Sequence, residues 1–310
     1  MRPRESKPKQ LMLIRLDTDY INVKESIEES PTRREKHNAA IGVLVGTQLE
    51  IKDFVSFVGD WLKFGKLVFA KALENDFESY RVEVLGDGAE WNGNVAKMYF
   101  PNALQVVDCL FLEEAVNAFC KKHGKANDWN VKMLPAIANG RCKSVIKTLV
   151  KLEIMRSKAL GAKARIPRSA MDIYEDSNVP FLDIDTSGID FKKIKEEESG
   201  RDGIIGDERG KRVVASLLKF LNLNIDHVEY VKYEKEGYVL GNKPVEIESK
   251  AAMSEWLDIP QKDMTLREAR SIAVQNSRFA PDQWRKVEGA LHEKLDPGFR
   301  FEDFDDSYED

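Results

Sequence analysis

An α/β fold is predicted, with a mixed sheet flanked by helices and a mainly helical insertion ahead of a final acid-bearing helix. Three observations predict it. Runs of β-branched and apolar residues at 11–24, 39–45, 80–85 and 104–107 have strand character. The last two of these enclose a helical stretch, and strand, helix, strand in that order makes a parallel unit. From 110 to about 160 the apolar spacing is helical.

Taken in order, Leu11 to Lys24 forms the first strand, and the charged stretch 25–36 suits a hairpin loop leading to a second strand at 39–45. In 51–73, Phe54, Val55, Val58, Trp61, Leu62, Val68, Phe69 and Leu73 recur at helical spacing, which predicts one long helix or two joined near Gly65. The strand at 80–85 closes on Gly86-Asp87-Gly88. A helix around 94–99 follows, and the strand 104–107 ends in Asp108. Between 169 and 210 the pattern breaks into acidic, Gly- and Pro-containing sequence expected to be an insertion or mobile connector. Helical periodicity resumes at 211–221 and again after Pro244, and 301–310 is an acidic tail.

Composition narrows the function classes. With 310 residues, 42% of them hydrophobic, the chain has material for one large domain or two modest ones. Its longest apolar runs, 41–45 and 144–152, are too short for a bilayer, and residues 1–10 are polar and basic. A cytoplasmic protein without membrane attachment is expected. Three cysteines without Cys-x-x-Cys spacing and four scattered histidines argue against a disulfide framework or a zinc knuckle. The net charge of −5 argues against a wholly basic nucleic-acid binder, yet charge is unevenly placed. Residues 141–168 hold nine basic side chains against one acid, Glu153, so Arg141, Lys143, Lys147, Lys151, Arg156 and Lys158 are candidate contacts to a DNA backbone. The alternative is a solvated face on a helix whose core side carries Val145, Ile146, Leu149 and Leu152. Trp129, Trp256 and Trp284 are expected in packing roles.

Acidic residues at strand ends are the chemical candidates. Asp17 lies within or at the end of the first strand, and Asp87 and Asp108 follow later ones. Carboxylates brought together by a sheet suit hard divalent ions in phosphoryl chemistry. The same positions also favour helix caps and turns, a purely structural alternative.

Gly86-Asp87-Gly88-Ala89-Glu90-Trp91, then Tyr99-Phe100-Pro101-Asn102-Ala103 and Val106-Val107-Asp108, resembles the central block of Mutator-like and related insertion-sequence DDE transposases. Leu16-Asp17-Thr18-Asp19-Tyr20-Ile21-Asn22-Val23-Lys24 resembles their first catalytic strand. Tyr230, Tyr233, Gly237, Gly241 and Val245-Glu246-Ile247-Glu248-Ser249-Lys250 resemble the last block, in which a turn opens the helix bearing the catalytic Glu. The resemblance implies an RNase H-like core with Asp17, Asp87 and Glu246 as catalytic, metal-binding carboxylates for Mg2+ or Mn2+. It implies secondary roles for Asp19, Asp108, Glu114 and Lys250, and an alternation that puts Asp19 on the face of Asp17 leaves either as first ligand. The implied activity is metal-dependent DNA cleavage and strand transfer, performed by a homo-oligomer on transposon ends and target DNA in the nucleoid.

The sequence departs from that family in three places. Phe111 stands where the family has His, the turn reads Gly241-Asn242-Lys243, and Ser254-Glu255-Trp256-Leu257-Asp258 replaces a basic segment. An inactive or truncated relative that binds DNA or a partner transposase is the alternative. The expected organisation is a basic tail (1–10), the first part of the core (11–120), a helical insertion turning from basic to acidic (121–210), the last part of the core with the Glu-bearing helix (211–300), and the acidic tail (301–310).

Overall fold

A computed structural model describes residues 10–24, 34–46, 51–123, 126–187, 189–192 and 213–241. It is a mixed α/β structure whose five strands are ordered β3-β2-β1-β4-β5. The strands are β1 (Leu11–Lys24), β2 (Arg34–Val45), β3 (Ile51–Val58), β4 (Arg81–Gly86) and β5 (Leu104–Val107). β1 runs antiparallel to β2, from Leu13↔Val45 to Lys24↔Arg34, and parallel to β4, from Leu11↔Arg81 to Leu16↔Gly86. The chain divides into two compact units: Met1–Gly86 with Trp91–Gln105 and Asn242–Asp310, and Asp87–Glu90 with Val106–Gly241.

In the first unit, helices α1 (Trp61–Glu74) and α2 (Glu90–Tyr99) share a core with the sheet. Alternation along β1 sends Met12, Ile14 and Leu16 into that core, where they join Val55, Phe57, Phe64, Val68, Val84 and Val95. Close approach explains two glycines. A Cβ on Gly42 of β2 would lie 2.7 Å from Val68 Cγ2, and one on Gly65 of α1 would lie 2.5 Å from Tyr99 Cε2 and 3.2 Å from Val95 Cγ2. Tyr99 has no room to yield, because its hydroxyl donates to Leu62 O at 3.0 Å. Gly65→Ala is therefore expected to destabilise the protein by about 1–3 kcal/mol through overpacking. A denaturant midpoint equal to wild type would contradict this packing.

The long helix expected over 51–73 is instead strand β3 followed by α1. In β3, Val55 and Phe57 alternate with Ser56 and Val58, and the strand pairs with β2 from Ala39↔Val58 to Val45↔Ile51. Apolar residues at 54, 55 and 58 satisfy both periods, so the pattern did not discriminate. The break comes at Gly59, whose φ of 145° suits glycine, and at Asp60, whose carboxylate accepts from Lys63 N at 3.0 Å and caps α1. β2 also begins earlier than expected, at Arg34, because its charged first residues continue the ladder with β1.

The second unit is helical: α3 (Cys109–Lys122), α4 (Ala126–Ala138), α5 (Cys142–Leu160), α6 (Arg168–Glu175), α7 (Val213–Leu223) and α8 (Tyr230–Lys235). Its core is drawn from Leu112, Val116, Phe119, Trp129, Met133, Ile146, Leu149 and Leu218. Trp129 is fully buried, stacks on Phe119 at 5.7 Å and donates its Nε1 hydrogen to Asp185 O. His123 packs against both rings, with Nδ1 2.9 Å from Phe119 O, and is a core residue. The break expected at 169 begins at 176 instead. Residues 168–175 form α6, which buries Ala170 and packs on α5. After it, irregular backbone is tied down by Leu182 N donating to Thr148 Oγ1 and Lys132 Nζ donating to Asp183 O, at 2.9 and 2.6 Å. Among the described residues no helix is long and apolar enough to cross a membrane.

Candidate metal-binding carboxylates and the basic helix face

Asp17 lies within β1, paired with Ile41 of β2, one residue past the point where parallel pairing with β4 stops. Its carboxylate is partly buried and accepts from Arg15 Nε through Oδ2 at 2.8 Å. Strand alternation puts Leu13, Arg15 and Asp17 on the face opposite Met12, Ile14 and Leu16. Glu83 shares that face through the pair Leu13↔Glu83, and both Arg15 and Glu83 are buried. Buried charges of this kind are tolerable only when paired, and neither is without a partner. Asp19 continues β1 opposite Ala39; its side chain lies outside the described residues.

Asp87 follows directly on Gly86, the last residue of β4, and is half-buried. Its Oδ1 accepts from Ala89 N at 2.9 Å, which folds the chain into a tight turn before α2. The glycines on either side are needed for different reasons. A Cβ on Gly86 would fall 2.3 Å from Asn92 Nδ2. Gly88 has φ +79°, a Cβ there would meet Phe220 Cε2 at 2.7 Å, and its carbonyl accepts from Asn224 Nδ2 at 2.9 Å. The turn thus favours glycine at 86 for clearance and at 88 for both clearance and its positive φ.

Asp108 is fully buried and caps α3, accepting from Leu110 N at 3.0 Å. Next to it, Cys109 N donates to Leu240 O at 2.9 Å, and a Cβ on Gly241 would lie 2.9 Å from Asp108 Oδ1 and 3.0 Å from Cys109 Sγ. The β5–α3 junction therefore anchors the chain five residues before Glu246. Glu246 and Lys250 themselves lie outside the described residues, as do Trp256 and Trp284. Glu114 is exposed on α3, and Phe111 is half-buried. Among the described residues no three His, Cys, Asp or Glu side chains converge as a metal site. Arg15 and Asn224 were not singled out from sequence. A basic residue two positions from Asp17 in the otherwise apolar run 11–16 was the available signal for Arg15; Asn224 had none, because its partner is distant in the chain.

The basic stretch divides. Arg141, Lys143, Lys151 and Lys158 are exposed. Lys147 is buried, hydrogen bonded to Asp176 O, with its ammonium 5.0 Å from the Phe181 ring centroid. Arg156 makes a two-pronged pair with Glu153, Nε to Oε2 and Nη2 to Oε1, both at 2.7 Å. Glu153 is 0% exposed and also accepts from Arg165 N at 3.2 Å. Charge density in the sequence counted these side chains with the exposed ones, although packing has already engaged them.

All three cysteines are free thiols. Burial pushes Cys120 up from 9.0 to about 12, and burial followed by the Asp226 carboxylate does the same for Cys142. The unfolded thiols ionise first as pH rises, so the stability that these groups contribute is intact below pH 9 and is lost between 9 and 12. Denaturant midpoints are expected to fall across that window, and to fall less in Cys120→Ala. Equal slopes for the variant and wild type would contradict the burial of this thiol.

No protein-family model matches the chain, and no curated protein matches it.

Proposed function

We propose that this chain is the catalytic core of a DDE-type DNA transposase, with an RNase H-like sheet that presents Asp17, Asp87 and Glu246 to Mg2+ or Mn2+. One observation carries the reading: the parallel β1–β4 ladder stops at Leu16↔Gly86, and the next residue in sequence after each of these two is an aspartate. Functional groups collect where parallel strands cease to pair. The mixed sheet flanked by helices is compatible with the fold, and the turn that favours glycine on either side of Asp87 gives the Gly-Asp-Gly resemblance a physical basis.

Each described acid supplies the kind of donor that a hard divalent cation takes, a partly buried carboxylate on backbone held by sheet or turn hydrogen bonds. The chemistry such an ion supplies when bound is activation of water or a DNA 3′-hydroxyl and stabilisation of the departing oxygen. The protein's part is positional. Arg15 fixes one oxygen of Asp17, the Ala89 amide fixes one oxygen of Asp87, and the Asp108–Cys109 junction holds the backbone at Leu240 and Gly241. Arg141, Lys143, Lys151 and Lys158 offer exposed charge to DNA phosphates, and the substrates are transposon ends and target DNA bound by an oligomer in the cytoplasm.

Nicking of end-bearing DNA by the full chain, present with Mg2+ or Mn2+ and abolished by chelation, tests this reading. Chelation-resistant nicking, or none under any divalent ion, overturns it. A non-catalytic relative that binds DNA is the second reading, favoured by Phe111 in the place of the family's His. It predicts DNA affinity indifferent to metal.

A further inference from the structure

We propose that Arg15 is a built-in counter-ion for Asp17, which holds Oδ2 so that Oδ1 is the oxygen offered to a cation and which weakens the binding of that cation. This rests on the metal-binding reading of Asp17. Arg15 is 1% exposed and sits mid-strand between Val43 of β2 and Leu85 of β4, so its guanidinium cannot leave for solvent as a surface arginine would. Its Nε lies 2.8 Å from Asp17 Oδ2. Among the described residues none donates to Oδ1. The guanidinium is planar and permanently charged, so it fixes the carboxylate in one orientation and puts a positive charge beside any ion that binds there. At such short range, poorly screened by solvent, that charge opposes a divalent ion strongly. Glu83, buried on the same sheet face, shows that Arg15 belongs to a charged row built into the sheet.

Mn2+ binding to the full chain, followed by electron paramagnetic resonance of the free ion, is the readout, and it needs neither DNA nor activity. Arg15→Gln is expected to bind Mn2+ about tenfold more tightly than wild type, with the gain abolished by adding Asp17→Asn. If that variant does not fold, Arg15→Met combined with Glu83→Gln removes both buried charges together and is expected to bind Mn2+ more tightly than wild type by a smaller factor, because the attraction of Glu83 is lost along with the repulsion of Arg15. Arg15→Lys, which keeps the charge, is expected to show no gain. A merely structural role would lower the melting temperature and leave Mn2+ affinity of the folded protein unchanged. Binding that depends on Asp17 but is unaltered or weakened in the neutral variants overturns the role of Arg15 alone. Wild-type protein with no Asp17-dependent Mn2+ binding overturns the metal reading, and this inference with it.

Discussion

Replacing Asp87 with Asn is expected to reduce metal-dependent DNA nicking by at least about a thousandfold, because ligation of the ion underwrites several kcal/mol of transition-state stabilisation. The substitution isolates that effect. Asn retains a carbonyl oxygen able to accept from Ala89 N, so the turn between β4 and α2 keeps its hydrogen bond, and Gly86 and Gly88 keep the clearances to Asn92 and Phe220. Folding, followed by far-ultraviolet circular dichroism and thermal melting, should be close to wild type while nicking disappears. Glu246→Gln is expected to behave alike. Undiminished nicking in a folded Asp87→Asn protein would remove this residue from the reaction and leave its turn as its only role.

Replacing Arg156 with Ala is expected to lower stability by about 3–5 kcal/mol, because it leaves the fully buried Glu153 carboxylate without its cationic partner. The Arg165 amide would remain as one donor, too little for an ionised group out of water. Lys158→Ala, on an exposed part of the same helix, is expected to change stability by no more than about 0.5 kcal/mol. Adding Glu153→Leu to Arg156→Ala should recover much of the loss, since a neutral side chain of similar bulk needs no partner. Equilibrium unfolding of the four proteins gives these differences directly. Equal stability for Arg156→Ala and Lys158→Ala would mean that the pair is solvated and that Arg156 is available for DNA after all.

Much of the framework was legible where one local rule decided it. β1, β4 and β5 were read from their β-branched runs, and α3 to α5 from sustained helical spacing. β3 was not, since eight residues carry too little pattern to separate a strand from the first turns of a helix. What settles it is pairing with β2, a contact that no local window contains. The places of Asp17 within β1 and of Asp87 after β4 were legible from the strand pattern. The pairing of Arg15 with Asp17 and the burial of Lys147 were not, because a side chain's partner depends on tertiary neighbours. The Gly-Asp-Gly turn lies between these cases: its residues can be recognised in sequence, but the reasons for both glycines, Asn92 beneath one and Phe220 against the other, come only with the fold.

The hydrogen bond from Cys109 N to Leu240 O also bears on how this architecture can evolve. The described helices between those two residues leave and re-enter the chain's path at one hydrogen-bonded point. Because the entropy of closing such an excursion rises only slowly with its length, an insertion into its irregular backbone, such as the exposed stretch after α6, costs little in closure. Phe220 and Asn224 mark the opposite limit, since a change there reaches the turn at Gly88.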